Sequence, residues 1–495
     1  MNAHNRQDAN DKTVYVEAER VTDNDLSRDP SPQGHVIEQK PKVPWYSNIW
    51  DYDPGRSKEE AAFVQRLDIC VLTILGLGYF IKNLDQTNIS NAYVSGMKED
   101  LQMNSNELNM IDVAWTCGYV VGQVPSQIVL TKVRPSIWIP SCELLWTMLT
   151  FCLAAVSTSN HVIAIRFFVG LLESIFYPAA HMILGSWYKP SELAKRACIF
   201  HASSAAASMF SGYLQAGVYN GMNGLHGLPG WKWLFVMDGV ISLPIAIAGR
   251  FLIPDLPENT RAFYLRKDQV ELAVKRMDDV GRAPRSRLGW SAWKRIFGRW
   301  HVYFLSVLYI IFINAQPSGS IQPFTLWLKA TGKYSIELIN VIPTSQSAVQ
   351  LVLTVLFAIL SDRWRNRPAL MSVSTFWGFF TAVVLAVWTV PDGLKWFAFE
   401  MFRAYVPYGP ISMAWANEIC SADAEERAIV LGIMNALGYA VNAWLPYLIF
   451  PAVDAPEFHK GFVFSSVMFV AQGAITWAVW FMHRRELGLK AGAGG

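Results

Sequence analysis

Arg166, Gly170, Glu173 and Tyr177 stand at spacings of four, three and four inside an apolar stretch near 161–187, which puts them on one face of a helix. Arg166 and Glu173 are then two turns apart, about 10 Å at 1.5 Å per residue, too far for a tight ion pair within the helix. Each therefore needs a partner from another element or from a ligand. Arg166 offers a planar fork that holds a carboxylate bidentately and never loses its charge. Glu173 is the better proton carrier, because a desolvated carboxyl exchanges protons near neutral pH. The alternative is a buried charge network that only holds helices together.

A second polar group lies earlier. The chain is apolar from Ile69 to Ile81, too short to cross about 30 Å of hydrocarbon, and then continues Lys82, Asn83, Asp85, Gln86, Asn88, Ser90 and Asn91. These residues must lie at membrane depth, where an ionised side chain costs about 2.5–3.5 kcal/mol, so they are expected to face a wet cavity. The competing reading is a helix that frays into an outside loop. Asn88-Ile89-Ser90 matches a glycosylation sequon, unused if it sits inside a helix.

The elements that would position these groups follow from composition. The 495 residues are 52% hydrophobic and 16% charged, which points to a polytopic membrane chain rather than a soluble enzyme. Apolar segments are predicted near 67–93, 107–131, 136–156, 161–187, 194–218 and 231–253, and again near 301–328, 336–360, 368–390, 395–419, 428–450 and 461–483. They are numbered one to twelve below. Residues 1–65 read as a disordered cytosolic tail without a signal peptide, 254–300 as a cytosolic linker with an amphipathic helix near 269–280, and 484–495 as a second tail. The two six-helix bundles are thus 66–253 and 301–483. Lys and Arg concentrate in the even-to-odd connections, so both termini are expected in the cytosol.

The two halves repeat. Arg134-Pro135 returns as Arg367-Pro368, Arg196-Ala197 as Arg427-Ala428, and Gly230-Trp231 as Gly461-Phe462, all at an offset of about 232 residues and at the same place in a six-segment count. That offset carries the polar half of segment one onto Asn314, Gln316, Gln322 and Pro323 of segment seven. Both segments are expected to break there and to border a central binding site. Asp112, Glu143, Asp238, Glu400, Arg403 and Glu418 also lie in apolar context, mostly near expected helix ends where long side chains reach the interface; Arg403 is kept as a substrate contact from the second half. His161, His181 and His201 read as structural. The six cysteines form no CxxC pair, a net charge of +3 gives no basic excess for nucleic acid, and no nucleotide loop, metal cluster or nucleophile triad is visible. No enzyme activity and no cofactor are expected.

The stretch Asn83-Leu-Asp-Gln-Thr-Asn-Ile-Ser-Asn91, with Gly96-Met-Lys-Glu-Asp-Leu101, Arg166-Phe-Phe-Val-Gly-Leu-Leu-Glu173, Gly230-Trp-Lys-Trp-Leu-Phe235 and Pro254-Asp-Leu-Pro-Glu-Asn-Thr-Arg261, resembles fungal members of the anion:cation symporter family of the major facilitator superfamily. That family contains allantoate, nicotinate, biotin and pantothenate permeases. The resemblance implies an all-α fold of twelve transmembrane helices in two pseudo-symmetric bundles, acting as a monomer in the plasma membrane. It further implies proton coupling through Asp85 and Glu173, with Arg166 on the substrate carboxylate. Many members have Arg directly after the first-helix Asp; here it is Gln86, which removes one cation of a two-cation clamp. The expected function is uptake of a small organic anion with protons, pantothenate or a similar vitamin-like acid, over contacts from Arg166, Gln86, Asn88, Tyr177, Asn314, Gln316, Gln322 and Arg403. If Glu173 and Asp85 both take protons, one monoanion moves with two. An exporter and a non-transporting nutrient sensor are the alternatives.

Overall fold

The computed structural model describes residues 57–103, 106–279, 290–317, 322–364, 366–420 and 424–493. Among them the chain is helical with connecting turns. Eight helices are long and apolar enough to cross a membrane: Lys58–Asp100, Pro135–Leu153, Ser159–Trp187, Gly230–Leu252, Ile336–Phe357, Arg367–Val387, Ile429–Ile449 and His459–Gly488. They correspond to segments one, three, four, six, eight, nine, eleven and twelve. Segments two (Glu107–Lys132) and five (Pro190–Met222) are long helices with more polar faces, while seven (Trp300–Asn314, Pro323–Thr331) and ten (Asp392–Phe402, Tyr408–Ile419) are interrupted. Phe251, Val352, Phe376 and Phe481 are each more than half exposed, as side chains facing lipid should be.

The repeat read from the sequence is visible in the packing. Segment one lies on five and six, three on six, and two on four; in the second half seven lies on eleven and twelve, nine on twelve, and eight on ten. Each pair maps onto its counterpart six segments later. Arg134-Pro135 and Arg367-Pro368 both open a helix with proline in its first turn, where the missing N–H costs nothing. The halves meet where five packs on eight and two on eleven, a further symmetric pair.

Helix one begins earlier and helix twelve ends later than expected. Residues 1–56 of the expected tail lie outside the described residues, but the helix starts at Lys58, with Ser57 capping it through the Glu60 N–H, and buries Phe63 and Leu67. Helix twelve continues to Ala493. The expected linker helix runs Lys267–Asp279 and is pinned to the first half: Arg276 reaches Glu60 (2.7 Å) and Glu192 (2.6 Å), and Lys189 also reaches Glu60 (2.8 Å). Asp68 and Arg196 add a bidentate pair at 2.6 and 2.7 Å.

Segments two and four approach until their backbones touch. A Cβ on Gly170 would fall 2.1 Å from the Trp115 carbonyl oxygen, and one on Gly118 would fall 2.0 Å from that of Phe167. Small residues permit this contact, which lipid-exposed helices use in place of a hydrophobic driving force. Gly170→Ala should therefore force the helices apart and lower stability by about 1–3 kcal/mol. Gly76→Ala, with open space around its Cβ, should leave the melting temperature of the detergent-purified protein unchanged or slightly raised.

Candidate functional site

Segment one stays α-helical from Thr73 to Ala92; Lys82 and Asp85 reach segments two to four, while Asn88 and Asn91 reach five and six. Arg166 Nη1 donates to Asp85 Oδ2 at 3.0 Å, with both side chains 1% exposed. Thr150 Oγ1 donates to the other Asp85 oxygen at 3.3 Å. Glu173 Oε2 accepts the Trp115 indole N–H at 2.9 Å, and its Oε1 has no donor. The Lys82 ammonium lies over the rings of Trp115 and Tyr119, 5.1 Å from each, and 5.8 Å from that of Tyr79. Trp115 is therefore a junction that touches Lys82, Glu173 and, at 6.0 Å, the Arg166 guanidinium. Lys82, Asp85, Arg166 and Glu173 are near enough to act on one another electrostatically. Fully ionised, the four sum to zero, so their burial leaves no uncompensated charge.

The expected trio Asp85, Arg166 and Glu173 is thus brought together. Lys82 belongs with them, although the sequence offered it only as one polar residue among several; a cation one turn before Gln86 was the available signal. Gln86 is half-buried with no acceptor for its Nε2. Asn88, expected as a substrate contact, is instead fully buried with both ends of its amide engaged. Its Nδ2 donates to Asp238 Oδ2 (2.7 Å) and its Oδ1 accepts from Ser211 Oγ (2.5 Å). Asn91 reaches the same serine at 2.7 Å, and Ser242 donates to Asp238 at 3.2 Å. This layer explains why segment one does not break between 82 and 91. Its polar side chains are satisfied sideways by segments five and six, and the interruption falls later, at Ser95 and Gly96, where Gly96 takes φ 117°.

Tyr177 follows a turn at Ser174 and Ile175, both of which keep helical backbone angles within the long helix Ser159–Trp187. Its hydroxyl pairs with His201 Nε2 at 3.0 Å, and its ring meets His181 edge-on at 4.5 Å. Asp238 and Glu143 are also deeply buried rather than at helix ends, with Glu143 set against Gly78 and Gly249. In the second half, segment seven does break after Asn314. Asn314 donates to the carbonyls of Ile310 (2.9 Å) and Gly438 (3.3 Å) and accepts from Asn442 (3.3 Å). Gln316 and Gln322 flank residues 318–321, which lie outside the described residues, and Gln322 accepts from Thr325 at 3.4 Å. Arg403 sits in a 3-10 turn that interrupts segment ten. The halves touch at mid-depth through Tyr119 and Tyr439, whose ring centroids are 5.5 Å apart.

Away from this site, His301, Cys420 and Glu426 bring possible metal-ligand atoms within 4.8 Å of one another, a grouping with no sequence signal. Arg299 ion-pairs with Glu426, and His301 bonds Glu426 (2.7 Å) and Glu486 (3.0 Å), so the cluster reads as a closed network at one end of the second half.

Ionisable groups buried at membrane depth inside one of two repeated helical bundles are the mark of a transport pathway. The profile of the Major Facilitator Superfamily matches residues 75–446, and the chain belongs to that family. It is 38% identical to the MFS transporter PfmaC of Pestalotiopsis fici, over 83% of this chain and 77% of that one. It is 36% identical to the pantothenate transporter liz1 of Schizosaccharomyces pombe, over 83% and 80%. The fold is similar to that of the xylose transporter XylE from E. coli, in a partially occluded inward open conformation, with a TM-score of 0.62 at 12% identity over 83% of this chain and 98% of that one. The protein is a transporter and not an enzyme, of the fungal anion:cation symporter kind that the motifs resemble.

The ion pair at the centre generates a stability prediction. Asp85→Asn leaves the Arg166 guanidinium buried without its counter-charge and should cost about 3–5 kcal/mol. Thermal melts of the detergent-solubilised protein should show a smaller loss for Asp85→Asn combined with Arg166→Gln than for Asp85→Asn alone.

Proposed function

We propose that the protein imports a small carboxylate, pantothenate or a similar vitamin-like acid, together with protons. The observation that carries this reading is the neutral quartet of Lys82, Asp85, Arg166 and Glu173 buried at membrane depth. With Glu173 protonated, the site carries one net positive charge and attracts a monoanion. The substrate carboxylate competes with Asp85 for Arg166, because both are planar acceptors for the same fork. Asp85, deprived of its cation, takes a second proton. Gln316, Gln322 and Arg403 face the substrate from the second half, where Asn314 holds the break in segment seven through its own hydrogen bonds, and Tyr177 and Gln86 complete the first.

With both termini cytosolic, the end that joins segments one and two is outside. There Lys329 reaches Glu99 (2.8 Å), Asn340 reaches Ser95 (2.9 Å), and Asn109 holds the Phe450 carbonyl (2.8 Å) and the Ala452 N–H (2.7 Å), latching the halves together. The plasma membrane is the location such an importer requires.

Labelled pantothenate uptake in cells lacking their own carriers, with biotin, nicotinate and allantoate as competitors, tests the reading. Uptake should rise from outside pH 7.5 to pH 5, because protonated Glu173 is the anion-accepting form, and Glu173→Gln should abolish that acid stimulation. Two protons per anion move one net charge inward, a gain of about 2.3 kcal/mol per 100 mV of inside-negative potential. Uptake indifferent to clamped voltage would reduce the stoichiometry to one proton. Failure to take up any of the four acids would overturn the import reading in favour of an exporter.

A further inference from the structure

We propose that Lys82 is the second cation of the substrate site, gripping the substrate carboxylate together with Arg166. The inference rests on the carboxylate reading above and adds to it a residue and a specificity. Lys82 is 5% exposed, yet among the described residues no carboxylate lies within ion-pair distance of its ammonium. Its close partners are the faces of Tyr79, Trp115 and Tyr119. Aromatic faces stabilise a cation, but they supply no hydrogen-bond acceptor of carboxylate strength, and a buried ammonium has three N–H groups to satisfy.

Two other donors in the same region are also without acceptors. Arg166 spends Nη1 on Asp85 while its Nε has none, although the side chain is 1% exposed. Gln86 Nε2, one helical turn beyond Lys82 on the same helix, has none either. Unpaired buried donors on Arg166 and Gln86, beside a Lys82 ammonium with no carboxylate in ion-pair range, are what an absent anion leaves behind, since buried polar groups are otherwise paired. Lys82 puts a second cation one helical turn before Gln86, on the helix that also carries Asp85. A lysine there is a compact point charge, which suits a single carboxylate held among three rings better than a planar fork would.

A purely structural Lys82 would only neutralise Asp85 and Glu173, and its loss would weaken every ligand alike. A carboxylate-binding Lys82 separates charged from neutral ligands. The test is calorimetric titration of the purified full chain with pantothenate and its alcohol pantothenol, biotin and biotinamide, and nicotinate and nicotinamide. The wild type should prefer at least one acid over its neutral partner. In Lys82→Gln the affinity for that acid should fall at least about tenfold, or about 1.4 kcal/mol, while the neutral partner changes by less than about threefold. Lys82→Arg serves if the glutamine variant does not fold: it keeps the charge but moves it onto a longer, planar group, so the acid should weaken severalfold and the neutral partner should not. An unchanged acid-to-neutral ratio in the variants, or equal weakening of both ligands, overturns the inference and leaves the carboxylate reading standing. A wild type that favours none of the three acids over its neutral partner overturns that reading, and this inference with it.

Discussion

A charge left alone in hydrocarbon is too costly to keep, and the first half is organised around meeting that constraint. Arg166 and Asp85 cancel one another across segments four and one, while Glu173 and Lys82 share Trp115 as a common polar and aromatic neighbour. One layer away, Asp238 is held by Asn88 and Ser242, which fastens segment six to segment one. Hydrogen bonds of this kind replace the hydrophobic force that helices lack inside a bilayer. The same groups therefore determine how segments one, four and six pack.

That packing needs a scaffold that does not yield when the charges rearrange. The glycine contacts of Gly118, Gly122 and Gly170 bring segments two and four to backbone distance, and the linker helix is held to the first half by Arg276. The seam between the halves is different in kind. It consists of helix pairs five with eight and two with eleven, the Tyr119–Tyr439 ring contact, and a few polar contacts among the connecting loops. In alternating access by rocking of two repeats, the seam between them is where the packing changes.

Much of this was legible in the chain. Ionisable residues in apolar surroundings stand out, so Asp85, Arg166 and Glu173 could be named at once, and the dipeptide repeats gave the two-bundle plan. Trp115 and Tyr119 could not be named, because an aromatic residue in an apolar helix looks the same whether it faces lipid, core or a cation. The partners of Asn88 are illegible for a related reason: Ser211 and Asp238 lie more than a hundred residues away, and only tertiary packing shows that they engage its amide. The repeat led to one misplaced feature. Segment seven breaks where the offset put it, but segment one stays helical there because its neighbours satisfy its side chains.

The loop-end latch has a consequence for apparent affinity. A buried hydrogen bond such as Asn340 to Ser95 contributes about 0.5–1.5 kcal/mol net, and the exposed Lys329–Glu99 ion pair, screened by solvent, at most about 1 kcal/mol. Together they bias the empty carrier toward the state in which the site is hidden from that side, and every tenfold of bias lowers the fraction able to bind from there by the same factor. Substitutions in these loops, far from any ligand, are thus a dial on the substrate concentration at which the carrier half-saturates, turned without altering a single contact in the site.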